Sequence, residues 1–178
     1  PGRGVQSVRL IAGDEGADTL AYYTLGSAYA NIHAHFMFRC QDATPLVNRG
    51  IFALANNNWE YVYLDLQNTG YLRLSNAGTG ASTGTTTKLK DNTWYHIWVD
   101  RIMGTGTNGQ YRAYICADTG GDIEKPATAE CSYDNGTEWH TINKIVLKAS
   151  QYNNGEMVHV NDYDQVYVDD SEVTDVCE

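Results

Sequence analysis

Histidine, amide and guanidinium groups recur at every second position of one stretch, where they could bind a polar ligand. Residues 29–40 alternate between two kinds of side chain, which predicts a β-strand with two different faces. The apolar face belongs to the core and carries Ala30, Ile32, Ala34, Phe36 and Phe38. The polar face carries Asn31, His33, His35, Met37 and Arg39. We expect His33, His35 and Arg39 to contact a ligand, although a purely structural role is an equal alternative for the two histidines.

Aromatic side chains indicate what that ligand is. The chain has 13 tyrosines and 4 tryptophans. A sugar ring stacks its apolar face on such rings, while its hydroxyls bond to amides and charged groups. Trp59, Tyr61 and Tyr63 lie on one predicted strand and the turn before it, and we expect them beside the His33 face as one polysaccharide-binding surface. The alternative is ordinary packing, because tyrosine suits half-buried strands.

Carboxylates are not arranged for glycoside hydrolysis. A glycosidase needs two carboxylates that flank one bond. Glu60 and Asp65 are separated by an odd number of positions, so a strand would point them to opposite sides. The acidic turn at residues 13–18, which contains Asp14 and Asp18, offers oxygen ligands to calcium but lacks the spacing of an EF-hand. The sequence also contains no nucleophile elbow, phosphate loop or zinc-protease motif.

Four cysteines lack any CxxC spacing, which argues against a zinc site. The even count fits two disulfides, and three pairings are possible. We favour Cys116 with Cys131, which flank one polar excursion, and Cys40 with Cys177, which would tie the tail to a strand. Disulfides imply an oxidising compartment, so we expect a secreted or extracellular protein. Four buried thiols are the alternative.

Charge and hydropathy limit the classes of molecule that this protein can bind. The formal net charge is −10 and the pI is near 4.8, which argues against nucleic acid because its binding needs a basic stripe. No stretch approaches the roughly 18 consecutive apolar residues of a membrane span, so we expect no membrane insertion. The first residues carry no signal-peptide core, and we expect that any targeting segment has been removed. A neutral glycan, or an anionic one held by a local basic cluster, remains open.

These side chains must be positioned by strands. A polar turn at residues 89–94 leads into a strand at residues 95–101, and residues 110–115 return as its hairpin partner. Tyr95, Ile97 and Val99 would lie on one face of that central strand, with Trp94, His96, Trp98 and Asp100 on the other. Further strands are expected at residues 5–11, 51–55, 59–66, 71–74, 142–147 and 159–168, with an exposed loop at residues 76–87. About ten short strands without an amphipathic helix predict an all-β antiparallel sandwich or jelly roll, as one domain over residues 1–178.

Three stretches resemble the concanavalin A-like jelly roll in its laminin-G-like branch. They are residues 89–97, with Thr93-Trp94-Tyr95-His96, residues 109–114, and the closing strand Tyr163-Asp164-Gln165-Val166-Tyr167-Val168. The resemblance implies the fold, which carries lectins, carbohydrate-binding modules, lyases and adhesion modules. It also implies a structural Ca²⁺ between the first turn and the last strand, with Asp164 and Asp14 or Asp18 as ligands.

A second, local resemblance is to alginate lyases of the same fold. Asn31-Ile32-His33 is similar to their Gln-Ile-His motif, and Lys148-Ala149-Ser150-Gln151-Tyr152-Asn153-Asn154 to their Lys-Ala-Gly-x-Tyr-Asn-Gln motif. It implies β-elimination from a uronic acid, with His33 as base, Tyr152 as proton donor and Lys148 at the carboxylate. The sequence thus predicts first a glycan-binding module that also uses Lys148, Gln151 and Tyr152. A polysaccharide lyase is the second prediction, and a structural or adhesive module is the third.

Overall fold

Twelve β-strands and no helix make up the described part of the chain. The structure, a computed structural model, describes residues 8–12, 19–45, 47–57, 59–77, 80–104, 108–121, 123–136, 140–149 and 159–169. The strands are β1 Val8–Ala12, β2 Thr19–Tyr29, β3 Asn31–Cys40, β4 Arg49–Asn56, β5 Trp59–Leu66, β6 Tyr71–Asn76, β7 Ser82–Lys88, β8 Tyr95–Ile102, β9 Gly109–Ala117, β10 Cys131–Gly136, β11 Ile142–Ala149 and β12 His159–Asp169. Among the described residues, no helix is long and apolar enough to cross a bilayer.

The strands form two antiparallel sheets of six. The first sheet has the order β1-β12-β3-β8-β9-β10, and the second has the order β2-β11-β4-β5-β6-β7. The all-β jelly-roll prediction is confirmed. So is the central position of β8, which pairs with β3 on one side and with its hairpin partner β9 on the other.

The core lies between the sheets and is built from the strand faces that the alternation predicts. Ile32, Ala34, Phe36 and Phe38 of β3 are at most 1% exposed. Phe36 stacks on Phe52 of the second sheet with ring centroids 4.7 Å apart. Because side chains of a strand alternate, burying this face turns the histidine face of β3 away from the second sheet.

Two buried polar side chains join the layers. The Tyr163 hydroxyl on β12 lies 2.6 Å from the carbonyl oxygens of Ile51 and Lys148, both in the second sheet. Arg101 is fully buried, and its guanidinium donates to the carbonyl oxygens of Ala30 and His140. Each side chain thereby satisfies backbone acceptors that the sandwich closes off from water.

Three strands are absent from the sequence prediction: β2, β7 and β10. The expected loop at residues 76–87 is wrong, because Ser82–Lys88 forms β7. All three are outer strands of their sheets, where at least one face meets solvent and no strict apolar alternation is required. Asn57 and Gly70 take positive φ, 52° and 87°, in the turns that join β4 to β5 and β5 to β6.

The predicted Cys116–Cys131 disulfide is wrong, because both residues are free thiols. Cys131 lies opposite Ala113 on β9 and faces the core, whereas Cys116 follows Ala113 by three positions and so faces the other side of the sheet. Cys40 is also a free, buried thiol, and burial raises its pKa to about 12. Its predicted partner, Cys177, lies outside the described residues.

Candidate functional site

The outer face of the first sheet gathers the histidines as predicted, but it is buried. His33 and His35 of β3 pair across to Asp100 and Trp98 of β8, all on this outer face. Only 9% of His33 is exposed, and His35 and Trp98 are 0% and 1% exposed. This burial favours the structural alternative for His33 and His35 over contact with a sugar.

His35 belongs to a stack of neutral rings. Its imidazole lies 5.3 Å from that of His96, 4.7 Å from Trp98 and 6.0 Å from Tyr167, measured between ring centroids. Burial, helped by the neighbouring His96, lowers the pKa of His35 to about 3. Burial also lowers the pKa of His96, although Asp118 opposes that shift.

The tautomers of this pair follow from their partners. His96 Nε2 lies 3.7 Å from the Asp118 carboxylate, which favours a proton on that nitrogen. His96 Nδ1 is then free to accept a hydrogen bond from His35 Nε2 at 3.1 Å. His35 Nδ1 is left buried without a partner, so these groups stabilise packing and offer little to a ligand.

His33 is fixed by an ion-pair network. Its Nδ1 lies 2.8 Å from one carboxylate oxygen of Asp100, and Lys125 Nζ lies 2.6 Å from the other. Lys125 also lies over the Tyr114 ring, 4.3 Å from its centroid. Burial alone would raise the pKa of Asp100, but the hydrogen bonds from His33 and Lys125 lower it overall. The network holds the chain around Lys125, which follows β9, against the outer face of the first sheet.

Arg39 is engaged by its own sheet. Its guanidinium donates to Asp162 at 2.6 Å and lies 4.7 Å over the Trp94 ring. Arg9 donates to the same carboxylate at 2.7 Å. The bond from Arg9, with a smaller contribution from Arg39, lowers the pKa of Asp162 against the effect of its burial. Arg39 therefore joins β1, β3 and β12 instead of standing free for a ligand.

The predicted union of Trp59, Tyr61 and Tyr63 with the histidine face is wrong. These three residues lie on β5, in the second sheet, whose outer face points away from that of the first. Tyr61 sits at a register shift between β4 and β5, packs against the core and stacks on His140 at 4.4 Å. Tyr63 alone of the two tyrosines reaches the outer face, and Trp59 is 74% exposed at the start of the strand.

A row of neighbouring side chains on the outer face of the second sheet forms a different candidate surface. Tyr22, Val146, Ala53 and Tyr63 are successive cross-strand partners on β2, β11, β4 and β5. Ala53, Ala55 and Val146 form a small apolar cluster against which Tyr63 packs. We call Tyr22, Ala53, Ala55, Tyr63, Lys144 and Val146 the platform. It is a low apolar floor with a tyrosine on either side.

Polar groups lie at both ends of the platform. Lys144 Nζ donates to the Asn57 carbonyl at 2.6 Å and lies 5.1 Å over the Tyr22 ring. The Asn57 and Asn143 side chains bond to one another at 3.2 Å.

At the other end, Arg73 donates to Asp65 at 2.7 Å. Ser75, the cross-strand partner of Tyr63, has a buried hydroxyl without a hydrogen-bond partner. The amides and the charged groups complement the two tyrosine rings as hydrogen-bonding groups, whereas the Ser75 hydroxyl is closed off from the surface.

Sequence reasoning missed most of this surface. Tyr22 lies on an unpredicted strand, while Lys144 and Arg73 were predicted only as strand residues. Their alternation on β11 and β6 was a usable signal, because Lys144 and Val146 share one face of β11, and Arg73 and Ser75 share one face of β6.

The residues of the predicted lyase do not come together. His33 lies on the outer face of the first sheet, and Lys148 lies between the core residues Leu147 and Ala149, hence on the outer face of the second. Gln151 and Tyr152 lie outside the described residues. The two described members would thus act on opposite sides of the sandwich.

The predicted calcium ligands are described only in part. Asp164 accepts a hydrogen bond from the amide of Gln165 at 2.8 Å. Asp14 and Asp18 lie outside the described residues, among which no group of three or more histidine, cysteine, aspartate or glutamate side chains is placed to hold a metal.

Comparison with solved structures finds the same fold in other proteins. It is similar to endo-β-1,4-glucuronan lyase from the fungus Trichoderma reesei, with a TM-score of 0.62 and 10% identity over 93% of this chain and 86% of the lyase. It is similar to the marine PL-14 alginate lyase from Aplysia kurodai, with a TM-score of 0.57 and 9% identity over 81% of this chain and 71% of that one.

A third similar structure is that of botulinum neurotoxin type C, whose cell entry depends on interaction with two ganglioside molecules. The TM-score is 0.64 and the identity 14%, over 96% of this chain but only 42% of the toxin chain. No protein-family model matches the amino-acid sequence, and no curated protein is similar to it in sequence. At such identities the likeness establishes the jelly-roll fold alone.

Proposed function

We propose that this protein binds a carbohydrate chain through the platform on the outer face of the second sheet. The observation that carries the proposal is the row Tyr22, Val146, Ala53 and Tyr63, with two tyrosines flanking a floor of small apolar side chains. Three strand spacings separate the two tyrosines, about 14 Å between their backbones. That span suits a short oligosaccharide lying across the strands, with rings above the tyrosines.

The chemistry of the platform supports a sugar over a purely apolar ligand. Tyr22 is 68% exposed, so its ring is accessible for stacking, and Lys144 over one face of that ring supplies a cation. Arg73 and Asp65 offer a donor and an acceptor side by side, which suits the vicinal hydroxyls of a sugar. The names of the similar structures, which mention glucuronan, alginate and gangliosides, agree in ligand class.

Binding is proposed ahead of the lyase because the described lyase residues, His33 and Lys148, face away from each other. His33 is committed to Asp100 through Nδ1 and is only 9% exposed. We also propose an extracellular location and a structural calcium ion. The calcium site would be supported if Ca²⁺ raised the melting temperature and a chelator returned it to the value without Ca²⁺.

The test is an equilibrium titration with short glucuronan, alginate and β-glucan oligosaccharides, chosen short so that avidity does not contribute. Tyr22→Ala and Tyr63→Ala should each weaken binding about tenfold, which corresponds to the loss of roughly 1.4 kcal/mol of stacking. Tyr23→Ala is the matched control, because Tyr23 is 67% exposed but lies on the other face of β2. The affinity of this control variant for the oligosaccharide should equal that of the wild type.

Three outcomes would contradict the proposal. Unchanged affinity in both platform variants would place the glycan elsewhere. Affinity for no glycan would favour the structural or adhesive module. The third outcome is the release of unsaturated sugar products, measured by their absorbance. If the His33→Ala variant no longer releases them, the protein is a lyase.

A further inference from the structure

The outer strand β2 exposes an unusual amount of apolar surface. It is 11 residues long and, among the described residues, pairs only with β11, with a register shift between Thr24 and Tyr29. Leu20, Tyr22 and Tyr23 are 47%, 68% and 67% exposed. Tyr22 lies opposite Val146 on the outer face and Tyr23 opposite the core residue Ile145, so apolar side chains stand on both faces of this edge.

The other three sheet edges carry features that block further strand pairing. At β7, the Glu130 carboxylate accepts the backbone amides of Thr86 and Thr87 at 3.0 and 3.1 Å. At β10, the six-residue strand carries Asp134 and a register shift. At β1, the strand has only five residues and carries Arg9. Short strands, bulges and charges are the devices by which proteins prevent edge-to-edge association.

Strand β2 also has a register shift, between Thr24 and Tyr29, but its residues 19–24 pair in regular register with β11 and are uncharged. Its sequence, Thr-Leu-Ala-Tyr-Tyr-Thr-Leu-Gly-Ser-Ala-Tyr, contains no charged residue and no proline. The whole chain has a net charge of −10, so two copies repel each other, and an uncharged edge is where the repulsion is least. An edge strand can also pair antiparallel with its own copy about a two-fold axis, which closes both edges at once.

We propose that β2 pairs antiparallel with β2 of a second copy of this chain. The two second sheets, of six strands each, would then continue as one sheet across the dimer. Leu20 and Tyr22 on the outer face and Tyr23 on the inner face would gain cross-strand partners from the second copy. The two platforms would lie side by side on one continuous surface.

The test is the molar mass of the intact chain, measured by sedimentation equilibrium across the micromolar range. The wild type should approach the mass of a dimer at the highest concentration and dissociate on dilution. Leu20→Lys/Tyr23→Lys should be monomeric throughout, because two lysines at the edge would repel those of the second copy. Val166→Lys is the matched control, because Val166 is 40% exposed on β12 of the first sheet, and it should associate like the wild type.

Hydrogen exchange of the wild type provides a second measurement that needs no variant. The outward amides of β2 should exchange more slowly as the concentration rises, while those of β7 should not change. A wild type that stays monomeric, or a double lysine variant that dimerises equally well, would overturn the proposal. Exchange rates of the β2 amides that do not change with protein concentration would overturn it as well. Because the glycan titration uses short oligosaccharides, failure of the dimer leaves the platform result intact.

Discussion

Replacing His35 with glutamine should remove much of the acid sensitivity of this fold. His35 is fully buried in the ring stack of the first sheet, where its pKa falls from the usual 6.5 to about 3. In the unfolded chain the same imidazole takes up a proton below about pH 6.5. Folding must then release that proton, so stability that is present above pH 6.5 is lost progressively as the pH falls towards 3.

The size of the effect follows from the shift. A pH of 5 lies about 1.5 units below the pKa of the imidazole in the unfolded chain, and each unit changes the free energy of unfolding by about 1.36 kcal/mol. The wild type should therefore lose about 2 kcal/mol of unfolding free energy between pH 7.5 and pH 5 through His35 alone. Carboxylates with lowered pKa values, such as Asp100 and Asp162, lose their stabilisation only below about pH 4 and do not contribute in this window.

Urea denaturation at pH 7.5 and pH 5 measures this loss directly. His35→Gln should lose less stability than the wild type over this interval, and His35→Gln/His96→Gln should lose the least, because burial lowers the pKa of His96 as well. His140→Gln is the control, because His140 stacks on Tyr61 outside the cluster. Equal losses in the wild type and His35→Gln would refute the reasoning and would mean that the outer face of the first sheet is open to water.

Three further substitutions test how the sandwich is held together, each by chemical denaturation at neutral pH. Tyr163→Phe should destabilise by about 1–3 kcal/mol, because it leaves the buried Ile51 carbonyl without the hydroxyl 2.6 Å away, and a loss below about 0.5 kcal/mol would contradict this. Gly70→Ala should cost about 1–3 kcal/mol and more than Gly120→Ala. Both glycines have positive φ, but a new Cβ at Gly70 would lie 2.9 Å from Lys88 Cε and 3.2 Å from the Ala43 carbonyl oxygen, whereas one at Gly120 would meet nothing within 4 Å. Glu130→Gln should lower the free energy of unfolding by roughly 1–2 kcal/mol, because the amide keeps the shape of the carboxylate but weakens the hydrogen bonds from Thr86 and Thr87 of β7. An unchanged denaturation midpoint would argue against these hydrogen bonds.

The fold class and the faces of individual strands could be predicted from the sequence. Alternation along residues 31–40 and 95–101 is a local property with a period of two. It assigned Ile32 and Phe36 to the core, where both are fully buried. It also put Tyr95, Ile97 and Val99 on one face of β8, and all three are buried. Three of the four edge strands escaped prediction, because an edge strand needs no such alternation, as β2 and β7 illustrate.

The site depended on contacts between distant parts of the chain. That β3 and β5 belong to different sheets separates His33 from Tyr63, and no local pattern encodes the sheet to which a strand is added. The covering of the histidine face depends on Lys125, which reaches Asp100 from 25 positions away. The pairing of cysteines failed for the same reason, because a spacing along the chain does not tell which side of a sheet each thiol faces.

By itself, therefore, the sequence determined an all-β sandwich, the inward face of β3 and a surplus of aromatic rings. Only the tertiary structure decided which outer face is buried and which presents Tyr22 and Tyr63, because that choice follows from strand order and from the chain segments that pack over each sheet.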